Sequence, residues 1–333
     1  MMNDWTLPPK PFSDKDKLIV GVSGGSDSLG LLLFLLEKLF LNPKKLIVAH
    51  VNFGLRGRDS NLDETQVRLI CGEFQVRFEL LKVVRFTQKA KKNKKSTQDF
   101  ARELRYSFFQ KLSKKYRAWG VAVAHHLEDQ SETVLDRLLR GAGPRGLSGL
   151  RPIQLLNLIG KGAPLKIWRP LLRYSKKQIR DYLGARGIGW REDRSNQENQ
   201  YRRNQIRNQI IPFLSKWNSN LTEVLGHLGE VVAAEDLVID GLMKHMGKEL
   251  KSRGGRGTYF CDAVRFHSVP VAFQRRWVRS VAEKLTDKAR GLSFERIEEI
   301  IRLWEAREQG PRDVGFGLAA GRTSKEAFLR WKG

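Results

Sequence analysis

GVSGGSDSLGLLLFLLEKLF occupies Gly21–Phe40 and follows directly on the apolar run KLIV at Lys17–Val20. A β-branched run that halts at Ser-Gly-Gly-Ser-Asp-Ser and resumes as a leucine-rich helical pattern predicts strand, tight turn and helix. Three readings of the turn compete. It can be a glycine turn with a serine helix cap. It can be a phosphate cradle built from backbone amides. It can also be a hydrolase nucleophile turn, because Gly21–Gly25 fits G-x-S-x-G.

The rest of the first half repeats the alternation. KKLIVAHVN, RFELLKVV and WGVAVAHH are short apolar runs, separated by helical patterns over 28–40, 62–75, 97–116 and 129–140. Continuous apolar strands between amphipathic helices predict a doubly wound α/β domain, a parallel sheet covered on both faces. Ligands of such sheets sit beyond the C-terminal strand ends. That edge carries Ser23–Ser28, then His50 and Asn52, then His125 and His126.

A Gly/Pro-rich stretch, RGAGPRGLSGLRP, breaks the pattern, and IWRPLLRYSKKQI predicts a short strand and a helix from about Ser175. YRRNQIRNQIIPFLSKWN reads as a basic helix in which Pro212 forces a kink or an early end. The character then turns helical, so the boundary is placed within 214–220. This predicts a catalytic domain over 1–216, with a basic extension over about 151–216, and a mainly helical second domain over 217–333. KAKKNKK (Lys89–Lys95) is expected to be a mobile loop.

Composition narrows the function. A chain of 333 residues suits about two domains. Against 36 acidic residues stand 61 Lys and Arg, a formal charge of +25, which concentrates polyanions at the surface. Nucleic acid is the leading partner; an acidic membrane surface or a generally basic proteome are the bland alternatives. The two cysteines, Cys71 and Cys261, match no metal or redox spacing, and Cys71 sits among Val67, Ile70 and Phe74 like a core residue. The apolar run over 29–41 is too short to span a bilayer, and the N-terminus lacks a secretory pattern, so a cytoplasmic protein without a membrane partner is expected.

The chemistry of the turn favours phosphate. No lysine follows the glycines, so this is not a Walker loop. Gly24 and Gly25 permit close backbone approach, and Ser23, Ser26 and Ser28 add hydroxyl donors. Asp27 repels phosphate unless a cation lies between, which points to Mg²⁺ with a nucleotide. The hydrolase reading lacks an HGGG-type oxyanion segment.

SGGSDS resembles the S-G-G-x-D-S signature of the PP-loop ATP pyrophosphatases, which cleave ATP between its α- and β-phosphates. HVNFGLRGRDSNLDE, ARELRYSFF, AHHLEDQSETVLDRLLRGAGPRGLSGL and RPLLRYSKKQI…WREDRSN…YRRNQIRNQIIP follow in order. Together, over roughly 17–215, they resemble the bacterial tRNA(Ile)-lysidine synthetases. Phe53 stands where many members carry histidine. The final third looks like the first of that family's C-terminal domains. The resemblance implies that ATP adenylates the wobble cytidine of a CAU-anticodon isoleucine tRNA, and that free L-lysine displaces AMP. A homodimer is compatible with it. The alternatives are another PP-loop ligase acting on a small substrate, or an RNA-binding protein with a degenerate nucleotide site.

Such chemistry needs a phosphate cradle, a cation site and a route to a neutral amine. At an unperturbed pKa of about 10.4, only about one lysine in a few thousand is neutral at pH 7. A base or a desolvating pocket is therefore required. The cradle is Ser23–Ser28, with Asp27 as catalytic and metal candidate. Asp129 and Glu132 share a helix face near its start, beside His125, which ordinarily titrates in a useful range. Asp129 is assigned to cytidine, lysine or metal, His125 to the reacting groups, and Glu132 to the lysine ammonium. The bland reading is that both carboxylates complement the helix N-terminus; His126 is equally suited to a structural role. Arg102 and Arg105 make either a solvated face or a contact to phosphate or tRNA. Resemblance tilts Arg203, Asn204 and Arg207 toward the tRNA backbone.

Overall fold

The computed structural model describes residues 7–93, 96–157, 163–191, 202–255, 257–286, 289, 291–305 and 309–333. These divide into two compact units, Met1–Ala233 and Ala234–Gly333.

In the first unit, β1 (Leu18–Gly21) leads through the turn into α1 (Ser26–Leu33), which loosens into a π-helical turn over Phe34–Lys38. There follow β2 (Leu46–Asn52), α2 (Arg58–Glu73), β3 (Arg77–Lys82), α3 (Phe86–Lys92), α4 (Thr97–Tyr116), β4 (Gly120–Ala122) and α5 (Leu127–Leu139). Then come α6 (Pro144–Leu147), β5 (Ile153–Leu156), β6 (Leu165–Trp168) and α7 (Lys176–Gly184). Among the described residues these strands form a six-stranded sheet ordered β3-β2-β1-β4-β6-β5. All neighbours are parallel except β5 on β6.

Alternation along the strands supplies the two-sided burial. Ile19, Ile47, Val121 and Ile167 pack with Tyr106, Phe109 and Leu112 of α4. Leu18, Val20, Val48, Ala122 and Trp168 pack with α1 and α7 on the other face. Gly30 lets those two helices close up: a Cβ there would lie 2.4 Å from Ile179 Cγ2. The chain runs outward from β1 to β3 and returns to β4 on the opposite side, so a crevice opens beyond β1 and β4 where strand order reverses.

The basic helix is interrupted as Pro212 requires. It runs as α8 (Arg202–Gln205), a π turn over Ile206–Ile210 and α9 (Ile211–Leu214), with Ile211 N donating to Ile206 O. The wide turn loosens the ladder where the proline ring would crowd it. Lys89–Lys95 differs from expectation: Lys89, Lys91 and Lys92 lie on helix α3, whose Phe86 and Ala90 are buried, and residues 94–95 fall outside the described residues. The motif WREDRSN likewise falls largely outside them.

The long α10 (Leu221–Glu249) begins after the turn where composition placed a boundary; the division by packing falls later, within that helix. The second unit continues with β7 (Arg253–Gly255), β8 (Thr258–Asp262), α11 (Ala263–Ser268), α12 (Val271–Leu285), α13 (Phe294–Glu305), β9 (Gln309–Gly315), β10 (Leu318–Arg322) and β11 (Glu326–Trp331). The helices are those that composition led us to expect. The antiparallel sheet, ordered β7-β8-β11-β10-β9, is an addition to that reading. Phe266, Trp277 and Trp304 meet edge to face in its core.

Candidate active site

The glycine turn is stapled from within. Ser28 Oγ accepts from Ser23 N at 3.0 Å and donates to Gly25 O at 3.0 Å, and it lies 3.1 Å from Ser23 Oγ. Ser28 is buried, so it shapes the loop, whereas Ser23 is exposed. Gly24 has φ +97°, and a Cβ on it would lie 3.0 Å from Asp63 Cβ. Only glycine holds this conformation without strain while α2 backs the turn. Asp63 is in turn ion-paired with Arg56 at 2.5 Å. The turn delivers Ser26 and Asp27 to the start of α1, where helix amides favour an anion.

Across the crevice, β4 ends at Ala122 and leads to His125 and His126. The buried His126 lies 3.5 Å through Nε2 from Asp27 Oδ2 and 2.8 Å through Nδ1 from Glu128 Oε2. Its backbone N–H donates to Asp129 Oδ2 at 3.1 Å. Glu128 also accepts from Lys176 N, at 3.0 and 2.9 Å, which ties the start of α5 to the start of α7. Burial alone would depress the His126 ring, but the contacts with Asp27 and Glu128 and the charge of Asp129 raise it to about 10. Burial would raise Asp27, but His126, the charge of Lys176 and the Ser26 hydroxyl outweigh it and hold the carboxyl at about 2. An imidazolium thus locks the loop carboxylate to the second histidine.

His125 differs from the sequence expectation. Burial, only partly offset by Asp129 and reinforced by the charges of Arg169, Arg203 and Arg102, pushes it down to about 3. It is a neutral ring at physiological pH and does not titrate in the range expected of a base. Its Nδ1 lies 3.1 Å from Arg169 Nε.

Asp129 and Glu132 do share one face of α5, and the arginines of α8 and the π turn meet them there. Arg203 pairs with Asp129 Oδ1 at 2.5 Å and with Glu132 Oε2 at 2.8 Å. Arg207 Nε pairs with Glu132 and its Nη2 lies 3.5 Å from Asp129. The Glu132 side chain is 1% exposed, against 52% for Arg203 and 30% for Arg207. The acids assigned to substrate and the bases assigned to tRNA therefore neutralise one another in the free protein. Asn204 follows Arg203 on α8 and is half-buried.

Ser23, Gly25, Asp27, Ser28 and His125 line one cavity of about 540 Å³ at the crevice. Arg102 and Arg105 of α4 line it as well. The Arg102 guanidinium stacks 4.9 Å from the Tyr106 ring centre. Burial lowers Arg105. A loop of amides and hydroxyls that shares a cavity with two guanidiniums suits a phosphorylated ligand. Among the described residues no three His, Cys, Asp or Glu form a metal cluster. Cys71 and Cys261 are buried and free, and burial pushes both thiols up to about 12, so neither offers a ready thiolate. Sequence reading missed Arg169 and left His126 without a site role; RPLL and HH carry no spacing that announces either.

Comparisons with known proteins agree with this geometry. A family model described as a PP-loop domain matches residues 3–214. The tRNA(Ile)-lysidine synthase of Chlorobaculum tepidum is 37% identical over 97% of this chain and 93% of its own length. That of Geobacter sulfurreducens is 34% identical over 88% of this chain, and the chain spans 60% of that protein. In the solved U34-tRNA thiolase of Methanococcus maripaludis, 68% of this chain and 75% of that one superpose with a TM-score of 0.54 at 16% identity, a likeness of fold alone. With its loop, crevice and two-sided sheet, the chain belongs to the tRNA(Ile)-lysidine synthase family of PP-loop proteins.

Proposed function

We propose that this chain uses ATP to join free L-lysine to the wobble cytidine of a CAU-anticodon isoleucine tRNA. The observation that carries the reading is the Ser23–Ser28 turn meeting His126 through Asp27 at a cavity walled by Arg102 and Arg105. In the first step the cytidine ring carbonyl oxygen attacks the α-phosphorus; that P–O bond forms as the bond to pyrophosphate breaks. In the second, the neutral ε-amine attacks the ring carbon, the C–O bond to AMP breaks, and the proton shed by the amine passes to solvent.

Loop amides and Ser23 bind phosphate oxygens, and Arg102 and Arg105 balance their charge. Asp27 fits a Mg²⁺ carried by the nucleotide: it stays ionised to about pH 2 and lines the cavity, and such a site takes one or two carboxylates beside phosphate oxygens. The ion would neutralise charge on the leaving pyrophosphate. His126 orients Asp27. Asp129 and Glu132 receive the lysine ammonium when Arg203 and Arg207 turn from them to tRNA phosphates, with Asn204 on the same surface. The basic segment over about 151–216 and the second domain expected over 217–333 are assigned to tRNA. A homodimer is compatible with the family resemblance, and sedimentation with and without tRNA decides it. No described helix is long and apolar enough to cross a membrane; a cytoplasmic site is part of the proposal, because that is where tRNA, ATP and lysine meet.

The test is pyrophosphate release from ATP. It should require CAU-anticodon tRNA and proceed without lysine. Release driven by a small carboxylic acid without tRNA would support the alternative, another PP-loop ligase.

A further inference from the structure

Arg169 is a buried guanidinium, 4% exposed, and among the described residues no carboxylate lies within ion-pair distance of it. Its hydrogen bonds go elsewhere. Nη1 donates to Arg151 O at 2.8 Å, Nη2 to Gln154 Oε1 at 2.9 Å and Nε to His125 Nδ1 at 3.1 Å. A guanidinium has donors only, so His125 Nδ1 must be the acceptor. The ring proton of neutral His125 then sits on Nε2, the nitrogen for which the described residues supply no partner. His125 and the loop line the same cavity.

We infer that Arg169 is a positioning residue that fixes His125 as the Nε2–H tautomer, so that the ring donates to an oxygen of the substrate. A carboxylate or carbonyl at Nδ1 would have fixed the opposite tautomer and raised the basicity of the ring. A permanent donor there does the reverse and makes the ring an N–H donor for developing negative charge. This rests on the reading of the cavity as the adenyl-transfer site. The acceptor is an oxygen either of the reacting phosphate or of the pyrimidine carbonyl.

Two measurements test it. In protein with ¹⁵N-labelled histidine, with the ring assigned through His125→Ala, Nδ1 should give a pyridine-type signal and Nε2 a pyrrole-type signal. Arg169→Lys, which still donates, should keep that pattern, and Arg169→Met should lose it. A wild-type ring protonated at Nδ1 overturns the inference whatever the enzyme does. In single-turnover AMP transfer to tRNA, Arg169→Met should slow the step by about 10²-fold, the loss typical of one such donor. Arg169→Lys should recover most of the rate. Arg169→Met with His125→Ala should be no slower than His125→Ala alone. Additive losses in the double variant overturn the inference. Weaker binding of a non-reacting ATP analogue by His125→Ala assigns the phosphate oxygen, and weaker tRNA binding assigns the carbonyl; unchanged binding of both overturns donation to the bound substrate. Absence of AMP transfer by the wild-type protein would sink the adenylation reading and leave the ring spectrum to decide the tautomer.

Discussion

The Nε2 of His126 lies 3.5 Å from Oδ2 of Asp27, which joins the turn after β1 to the start of the helix after β4. That contact bridges the two strand ends where strand order reverses, and it holds at the cavity the carboxylate proposed to meet a nucleotide-borne cation.

Asp27→Ala should therefore abolish adenylation and leave tRNA affinity nearly intact. AMP-transfer and tRNA-binding assays on one preparation check this. Normal AMP transfer by the variant would remove Asp27 from the chemistry.

The same contact sets a pH dependence of stability in Mg²⁺-free, nucleotide-free buffer. The His126 ring is raised from 6.5 to about 10, so its contribution is fully present below 6.5 and is lost as pH climbs toward 10. The Asp27 carboxyl is depressed from 3.8 to about 2, so its share is present above 3.8 and is lost as pH falls through 2. His126→Asn should cost most between those two windows, about 1.5–3 kcal/mol for hydrogen bonds to charged groups. Urea unfolding of both proteins across pH should show the difference shrinking from pH 6.5 to 10; a constant difference contradicts the imidazolium.

Glu132 and its arginines should respond unequally to substitution. Glu132→Gln frees two partly exposed guanidiniums that can turn to water, so the cost should be about 1 kcal/mol. Arg203→Ala with Arg207→Ala strands a buried carboxylate and should cost about 3–5 kcal/mol. Denaturation midpoints decide it, and equal losses would contradict this account of the cluster.

Much of this was legible in the chain. The helical pattern over 97–116 coincides with α4, and the structure shows what sets its ends: Ser96 accepts from Asp99 N at 3.0 Å at the start, and Arg117 stops it in the left-handed region. Ser175 likewise starts α7. The C-terminal sheet was not legible. Its edge strands, RGG and QGPRDVG, lack the apolar alternation that marks a strand, and Pro311 is tolerated only because β9 pairs on one side. Within the site, the turn announced itself through its spacing. The ion pairs of Glu132 with Arg203 and Arg207 bridge more than seventy residues and leave no local trace.

Arg203→Ala and Arg207→Ala should each weaken cognate and non-cognate tRNA alike. The slope of log affinity against log salt should shrink by about 0.7–0.9 per lost phosphate contact. An unchanged slope with collapsed discrimination would mean base readout. Unchanged affinity for both would confine these arginines to Asp129 and Glu132.

The most direct measurement is transfer of labelled lysine to tRNA in the presence of ATP, with the label located by nuclease digestion. The account predicts ATP-dependent label at the wobble position of CAU-anticodon isoleucine tRNA, and none on a methionine tRNA with the same anticodon. A folded preparation that binds ATP and tRNA but leaves lysine free would contradict it.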